Sequence, residues 1–435
     1  MNDEKSVLLV GIQYAGMDSS YTCTLLDELE SLVKNIGFST KVKRIVPVHD
    51  VHPRFLMGRG NAETIARCAQ EEDVGLIVFD GELTPAQARN WAELSGVPVF
   101  DREEVILAIF ASRAQTRAAK LQVELARLQY ILPRLKGSRL HLDRQRGGAY
   151  AARSGGETKL ETDRRLVLDR IAQVKRELKK VVREREITKK LRVENGIPRG
   201  AIVGYTNAGK SSLLNALTGS GALVEDKLFA TLDPQTKRLF LPGGRRILLS
   251  DTVGFLRRLP HGLIEAFKST LEETAEADYL IHVIDASHPE MEQLITATHE
   301  VLREIGVNHK PVIEVFNKID QLSQEEIDAL KRAYPDGVFI SVKNGIGIDR
   351  LIGRMREEAE RGLEPLLLEL PLNRYDLVSL IKREGKLLSE EFTDNAIVVS
   401  AEVPERIRQT LLDTAILVGS VKGSEDIPLV SYTKE

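Results

Sequence analysis

Gly204-Tyr205-Thr206-Asn207-Ala208-Gly209-Lys210-Ser211 fills the pattern G-x-x-x-x-G-K-[ST] without a mismatch. In such a loop the glycines let backbone N–H groups turn inward around phosphates, the lysine reaches the β- and γ-phosphates, and the serine hydroxyl holds Mg²⁺. The flanks fit: Gly200-Ala201-Ile202-Val203 reads as a short buried strand and Ser212-Leu213-Leu214-Asn215-Ala216-Leu217 as a helix, the order this loop requires. Gly204 to Ser212 is therefore the expected phosphate site, carried by an α/β domain with a mainly parallel sheet.

Four further segments follow in the order a nucleotide switch needs. Phe229, Ala230 and Thr231 sit where a first mobile switch would lie, with the Thr231 hydroxyl offered to Mg²⁺. Arg246 to Ser250 reads as a strand ending in Asp251-Thr252-Val253-Gly254, a D-x-x-G arrangement in which Asp251 holds Mg²⁺ through its water shell and the Gly254 N–H senses a γ-phosphate. Val312 to Phe316 delivers Asn317-Lys318-Ile319-Asp320. An aspartate there accepts both N–H groups of a guanine edge, a donor pair that adenine lacks. Val338 to Lys343 supplies a last strand and loop, so Ser341, Val342 and Lys343 join Asn317, Lys318 and Asp320 as the expected guanine site. The expected activity is GTP hydrolysis with Mg²⁺ at Ser211, Thr231 and Asp251. Phe255 follows Gly254 where Ras-like enzymes carry a water-orienting glutamine, so the attacking water needs other help and slow unaided turnover is expected. Asn207 has two readings: it helps hold K⁺ beside the phosphates, or it bonds within its own loop.

Upstream, strand and helix patterns alternate from Ser6 to Phe100, which argues a small α/β domain. Gly58-Arg59-Gly60-Asn61 reads as a glycine turn capped by Asn61 or a ligand loop. From about Glu103 the chain becomes helical. Leu121, Leu125, Leu128, Leu132 and Leu135 make one apolar seam, and Val167, Ile171, Val174, Leu178 and Val181 make another. Two such seams predict an antiparallel hairpin, its first helix kinked or ended near Pro133. The connector holds Arg134, Lys136, Arg139, Arg144, Arg146, Tyr150 and Arg153 among glycines, against the single acid Asp143. Guanidinium groups and an aromatic ring on a glycine-rich tip suit the phosphates and unstacked bases of RNA; the alternative is a loop kept soluble by its charge.

Lys and Arg number 61 against 64 Asp and Glu, so the net charge of −3 conceals any local basic patch rather than excluding one. No run of about 18 apolar residues and no signal-peptide core occurs, so a cytoplasmic chain without stable membrane insertion is expected. Two cysteines, Cys23 and Cys68, are too few for a disulfide framework. His49 and His52 bring no further ligands with them in sequence.

With these motifs on the page, the chain resembles the HflX family of translational GTPases. The resemblance rests on Gly204–Ser211, on Val224-Glu225-Asp226-Lys227-Leu228-Phe229-Ala230-Thr231-Leu232-Asp233-Pro234, and on Asp251–Phe255. It rests also on Arg153-Ser154-Gly155-Gly156-Glu157-Thr158-Lys159-Leu160-Glu161-Thr162-Asp163-Arg164-Arg165. It departs at Ser154 or Gly155 and Lys159, where the family carries proline and glutamine, and at Val342, where it carries alanine. The resemblance implies binding to the large ribosomal subunit and its rRNA, used to separate or rescue stalled ribosomes, with the N-terminal region reaching toward the peptidyl-transferase centre. Expected domains are an N-terminal α/β domain (1–102), a helical hairpin (103–195), a GTPase domain (196–362) and a small α/β C-terminal domain (363–435). GTP or GDP and the large subunit are the expected partners of a monomer that binds no DNA. A scaffold acting through protein partners and a subunit-assembly GTPase are the alternatives.

Overall fold

The computed structural model describes residues 5–135, 156–193, 197–219, 235–242, 245–257 and 274–419. Three sheets organise them. The first is parallel, with order β2-β1-β3-β4, from β1 (Lys5–Tyr14), β2 (Phe38–Val48), β3 (Leu76–Asp80) and β4 (Val99–Asp101). Val7, Leu8, Leu9 and Val10 of β1 are all fully buried because both faces of this central strand are covered. One face packs with α1 (Ser19–Asn35) and α4 (Arg102–Arg113), the other with α2 (Arg59–Glu71) and α3 (Pro85–Ser95). Gly58 is the residue that precedes α2, so Arg59 to Asn61 already form its first turn and Asn61 is not the cap.

The helical stretch expected from Glu103 is two helices. Thr116 caps α5 (Arg117–Arg134), accepting from the Ala119 amide at 3.2 Å, while Val105, Ile106, Ile109 and Phe110 of α4 lie in the core of the first sheet. α5 has two apolar faces. Ala119, Val123, Ala126 and Tyr130 join that same core, and Leu121 and Leu125 meet Ile171 and Val174 of α6 (Gly156–Val193). Glu124 and Arg170 join the two helices by a fork, at 2.6 and 3.0 Å.

The second sheet has order β10-β9-β8-β5-β7-β6. Its strands are β5 (Arg199–Gly204), β6 (Gln235–Phe240), β7 (Arg246–Asp251), β8 (Tyr279–Asp285), β9 (Val312–Asn317) and β10 (Val338–Phe339). All pairs are parallel except β6 with β7. α7 (Lys210–Thr218), α8 (Met291–Glu304), α9 (Gln324–Ala333) and α10 (Ile348–Glu360) accompany it. The third sheet is antiparallel, order β12-β13-β11-β14, from β11 (Leu363–Pro371), β12 (Lys386–Phe392), β13 (Ala396–Pro404) and β14 (Ile416–Gly419). α11 (Tyr375–Glu384) and α12 (Glu405–Leu412) supply Leu377, Val378, Ile381, Ile407 and Leu411 to its core. Among the described residues, no helix is long and apolar enough to cross a membrane.

Candidate functional site: a phosphate loop at the head of the second sheet

The loop leaves β5 at Gly204, whose φ of +140° suits glycine and whose absent Cβ would lie 2.2 Å from the Val283 carbonyl oxygen of β8. Gly209 opens α7 at φ +98°, and a Cβ there would meet Asn317 Nδ2 at 2.3 Å. Both glycines are thus required by close approach as well as by backbone angle. Between them Asn207 also takes a positive φ, 62°, a region asparagine tolerates better than most side chains.

Lys210 is buried and donates to the Tyr205 carbonyl oxygen at 2.7 Å. Burial pushes its amine down to about 8, with Asp251 pulling the other way. Ser211 Oγ donates to Asp251 Oδ2 at 2.6 Å, which brings a hydroxyl and a carboxylate to one point. Ser212, half-buried, follows on the first turn of α7. Thr206 Oγ1 is buried and has no hydrogen-bond partner among the described residues. Such an atom costs stability unless something bonds it, and a phosphate oxygen is a natural acceptor there.

The D-x-x-G segment closes over the loop. Thr252 donates to the Ile202 carbonyl at 2.7 Å, and Phe255 exchanges bonds with the loop, its N–H to Gly204 O at 3.1 Å and its carbonyl accepting from Thr206 N–H at 2.9 Å. A Cβ on Gly254 would lie 2.8 Å from Thr206 Cγ2 and 2.9 Å from Lys210 Nζ, so the backbone passes directly above the lysine. The Phe255 ring is buried in apolar surroundings with Ala201, Val203 and Leu280, while Val253 lies in the core shared with the first sheet. Phe229, Ala230 and Thr231 lie outside the described residues.

Asn317 is a buried strut. Its Nδ2 donates to the Ala208 carbonyl at 2.9 Å and its Oδ1 accepts from the Val342 N–H at 3.2 Å. Lys318, at φ 65°, pairs with Asp285 at 2.6 Å. Asp320 Oδ1 accepts from Ser341 Oγ at 2.6 Å, and Ser341 Oγ accepts in turn from the Asn344 N–H at 3.2 Å. Lys343 is exposed beside them. Phosphate loop, D-x-x-G segment and N-K-x-D element are therefore one bonded unit.

Several residues of this unit were not singled out in the sequence. Tyr205 Oη donates to Glu28 of α1 and accepts from the Arg257 N–H at 2.8 Å. Arg102 pairs with Asp80 at 2.8 Å and Glu28 at 3.0 Å, and donates to the Arg257 carbonyl at 3.2 Å. Burial works against the Arg102 charge, but Glu28 and Asp80 outweigh it and hold the guanidinium above its ordinary value. The Arg257 side chain pairs with Glu290 at 2.7 Å. Asp285, the last residue of a buried strand, carried a readable signal; the Glu28–Arg102–Tyr205–Arg257 set joins residues far apart in sequence and carried none.

Of the connector residues, Arg134 departs from the expectation of RNA contact. It is spent internally: Nη2 bonds Asp101 Oδ2 at 2.8 Å and the Leu83 carbonyl at 2.9 Å, and its guanidinium lies 3.4 Å from the Tyr130 ring centroid. A partly buried arginine so engaged gains little by leaving for a phosphate. Lys136, Arg139, Arg144, Arg146, Tyr150 and Arg153 lie outside the described residues.

Comparison with known proteins follows the same layout. Residues 24–111 match the family described as GTP-binding GTPase N-terminal, 113–192 the GTP-binding GTPase middle region, and 199–318 the 50S ribosome-binding GTPase family. The chain is 46% identical over 413 residues to GTPase HflX of Lacrimispora saccharolytica, covering 95% of this chain and 96% of that one. It is 40% identical over 374 residues to GTPase HflX of Escherichia coli, covering 86% and 85%. A GTP-binding protein from Sulfolobus solfataricus, solved in complex with GDP, is 26% identical, covers 82% of this chain and 98% of that one, and has a TM-score of 0.43. A phosphate loop bonded to a D-x-x-G segment and an N-K-x-D element, in a chain this similar to curated relatives along nearly its whole length, makes it a GTPase of the HflX family.

Proposed function

We propose that this GTPase is a ribosome factor whose GTP-bound form associates with the large subunit, separates or rescues stalled ribosomes, and is released by hydrolysis. One observation carries the reading. Arg257, three residues beyond Gly254, is bonded through its amide to Tyr205 of the phosphate loop and through its carbonyl to Arg102 at the start of α4. A γ-phosphate arriving at Lys210 must displace the backbone that now passes over it, and this displacement pulls on both partners at once. The family of the 199–318 segment, described as 50S ribosome-binding, supports the choice of partner.

In this reading Gly204 to Ser212 hold the phosphates, Asp320 reads guanine, and Asn317 keeps the two loops in register. Mg²⁺ fits the donor set: Ser211 Oγ and Asp251 Oδ2 are hard oxygen ligands already at one point. It would neutralise developing phosphate charge there. Phe255 offers no polar group to the attacking water, so unaided hydrolysis is slow and the ribosome supplies the missing orientation. K⁺ held by Asn207 belongs to the same proposal. The test is sedimentation with large subunits. Comigration with a non-hydrolysable GTP analogue but not with GDP is the expected result, together with turnover raised by subunits; indifference to the nucleotide would sink the proposal.

Lys210 adds a pH signature. Phosphate favours the charged amine, whose value in the free protein is about 8, so affinity is flat well below pH 8 and falls as pH rises through it. Between pH 7 and pH 8.5, GDP affinity measured by calorimetry should fall about fourfold. Lys210→Arg, whose guanidinium does not titrate in this range, should bind more weakly but show no such slope. An equal slope in both proteins would remove Lys210 as the titrating group.

A further inference from the structure

We propose that His282, His299 and Glu314 form a binding site for one divalent transition-metal ion, with zinc the best match, separate from the nucleotide site. The three residues come from three elements of the second sheet's layer. His282 of β8 and Glu314 of β9 are direct partners in a parallel register, so their side chains leave the sheet on the same face. α8 brings His299 to that face. Its ring stands perpendicular to that of His282, at 86° with centroids 5.4 Å apart, and its Nε2 lies 3.8 Å from Glu314 Oε1. One ligand atom from each of the three residues lies within 4.8 Å of the others.

His282 supplies an independent sign that something is bonded here. It is 1% exposed, and its Nδ1 has no hydrogen-bond partner among the described residues. A buried ring nitrogen left unpaired is costly, whereas a metal ion takes that lone pair as a ligand. The imidazole also stays neutral, as a ligand must, because burial, the facing His299 ring and Lys210 all disfavour its charged form.

The donor chemistry selects the ion. Two imidazoles and a carboxylate are zinc ligands, and three protein groups leave the fourth position of a tetrahedron to water. Mg²⁺ and Ca²⁺ prefer all-oxygen shells, so the nucleotide's ion does not compete. A tetrahedral shell with bonds of about 2.1 Å places its donors about 3.4 Å apart, so the trio must draw in by about 1 Å. The buried member can stay still. His299 and Glu314 are 40% and 31% exposed, so their side chains are free to turn and the ion has a way in from solvent. Once bound, it would tie β8, β9 and α8 together beside Val283, the residue whose carbonyl presses on Gly204.

The test uses the untagged, nucleotide-free full chain in Mg²⁺ buffer, with ZnCl₂ alone as the probe in calorimetry and thermal unfolding. One ion per chain, a rise in unfolding temperature, and intense visible absorption when Co²⁺ replaces zinc are expected. His299→Ala and Glu314→Gln, both at partly exposed positions that keep the fold, should each weaken zinc binding tenfold or more while leaving GDP affinity unchanged. His49→Ala should bind zinc as the parent does. Failure to saturate below about 0.1 mM zinc, or equal binding by the parent and the His299→Ala and Glu314→Gln variants, would overturn the proposal and leave His299 and Glu314 a simple side-chain contact.

Discussion

Arg102→Met should lower the stability of the chain by about 3–5 kcal/mol, the range for removing one partner of a buried charge cluster. The side chain is 4% exposed, Asp80 is 1% and Glu28 is 13% exposed, and both carboxylates bond the same guanidinium. Methionine fills a similar volume, so the loss is electrostatic rather than a cavity: Asp80 and Glu28 both lose the buried guanidinium that bonds them. Urea unfolding measures the difference. Asp80→Asn placed on top of Arg102→Met should restore part of the loss, because it removes a buried carboxylate that has lost this guanidinium; by itself Asp80→Asn should destabilise. Arg102→Lys should fall between, since one ammonium point charge cannot fork between two carboxylates and still reach the Arg257 carbonyl. A cost under about 1 kcal/mol for Arg102→Met, the level of an exposed ion pair, would mean that the cluster is solvated in solution and that the link to Arg257 holds nothing.

Arg102 also marks where the sequence stops being readable. The segments around Gly204, Asp251 and Asn317 were visible in the sequence because gripping phosphate and guanine constrains residues within one turn of each other. Parallel strands covered on both faces, such as Leu280 to Ile284, announced themselves as apolar runs. β6 did not: it is an edge strand with exposed Gln235 and Phe240 and one buried residue, Leu239, so no apolar pattern marks it. Nor does apolar spacing mark the end of α11 at Glu384. Gly385, where a Cβ would lie 2.6 Å from the Glu402 carbonyl, lets β12 begin flush against β13. Spacing within one helix cannot report a contact made across the fold. The same holds for Tyr205, whose place in the loop motif is one of the free positions, yet whose hydroxyl ties that loop to Glu28 across 177 residues of sequence.

Asp320→Asn should weaken GTP and GDP binding by about a thousandfold, or about 4 kcal/mol, and invert the preference of the site toward xanthine nucleotides. Guanine offers two adjacent donors, its ring N–H and its amino group, and an ionised carboxylate accepts both with charge-assisted bonds. The Ser341 hydroxyl, 2.6 Å from Oδ1, aims that carboxylate without spending its second oxygen. An amide offers one acceptor and one donor, so the guanine amino group meets another N–H₂ and both are left unpaired, the arrangement that makes hydrogen-bonding sites so discriminating. Xanthine carries an oxygen in place of that amino group, which turns the clash into a bond. Ser341 can still donate to the amide oxygen, and Asn317, the strut between the loops, is untouched, so the fold and the phosphate site are preserved. Fluorescent-nucleotide titration gives the affinities, and hydrolysis of xanthosine triphosphate by the variant distinguishes a changed base site from a damaged protein. If the variant keeps GTP within tenfold of the parent, Asp320 is not the group that reads the base. If it loses both nucleotides equally, Asp320 is a structural partner of Ser341 and base selection lies in the backbone of the 341–343 loop.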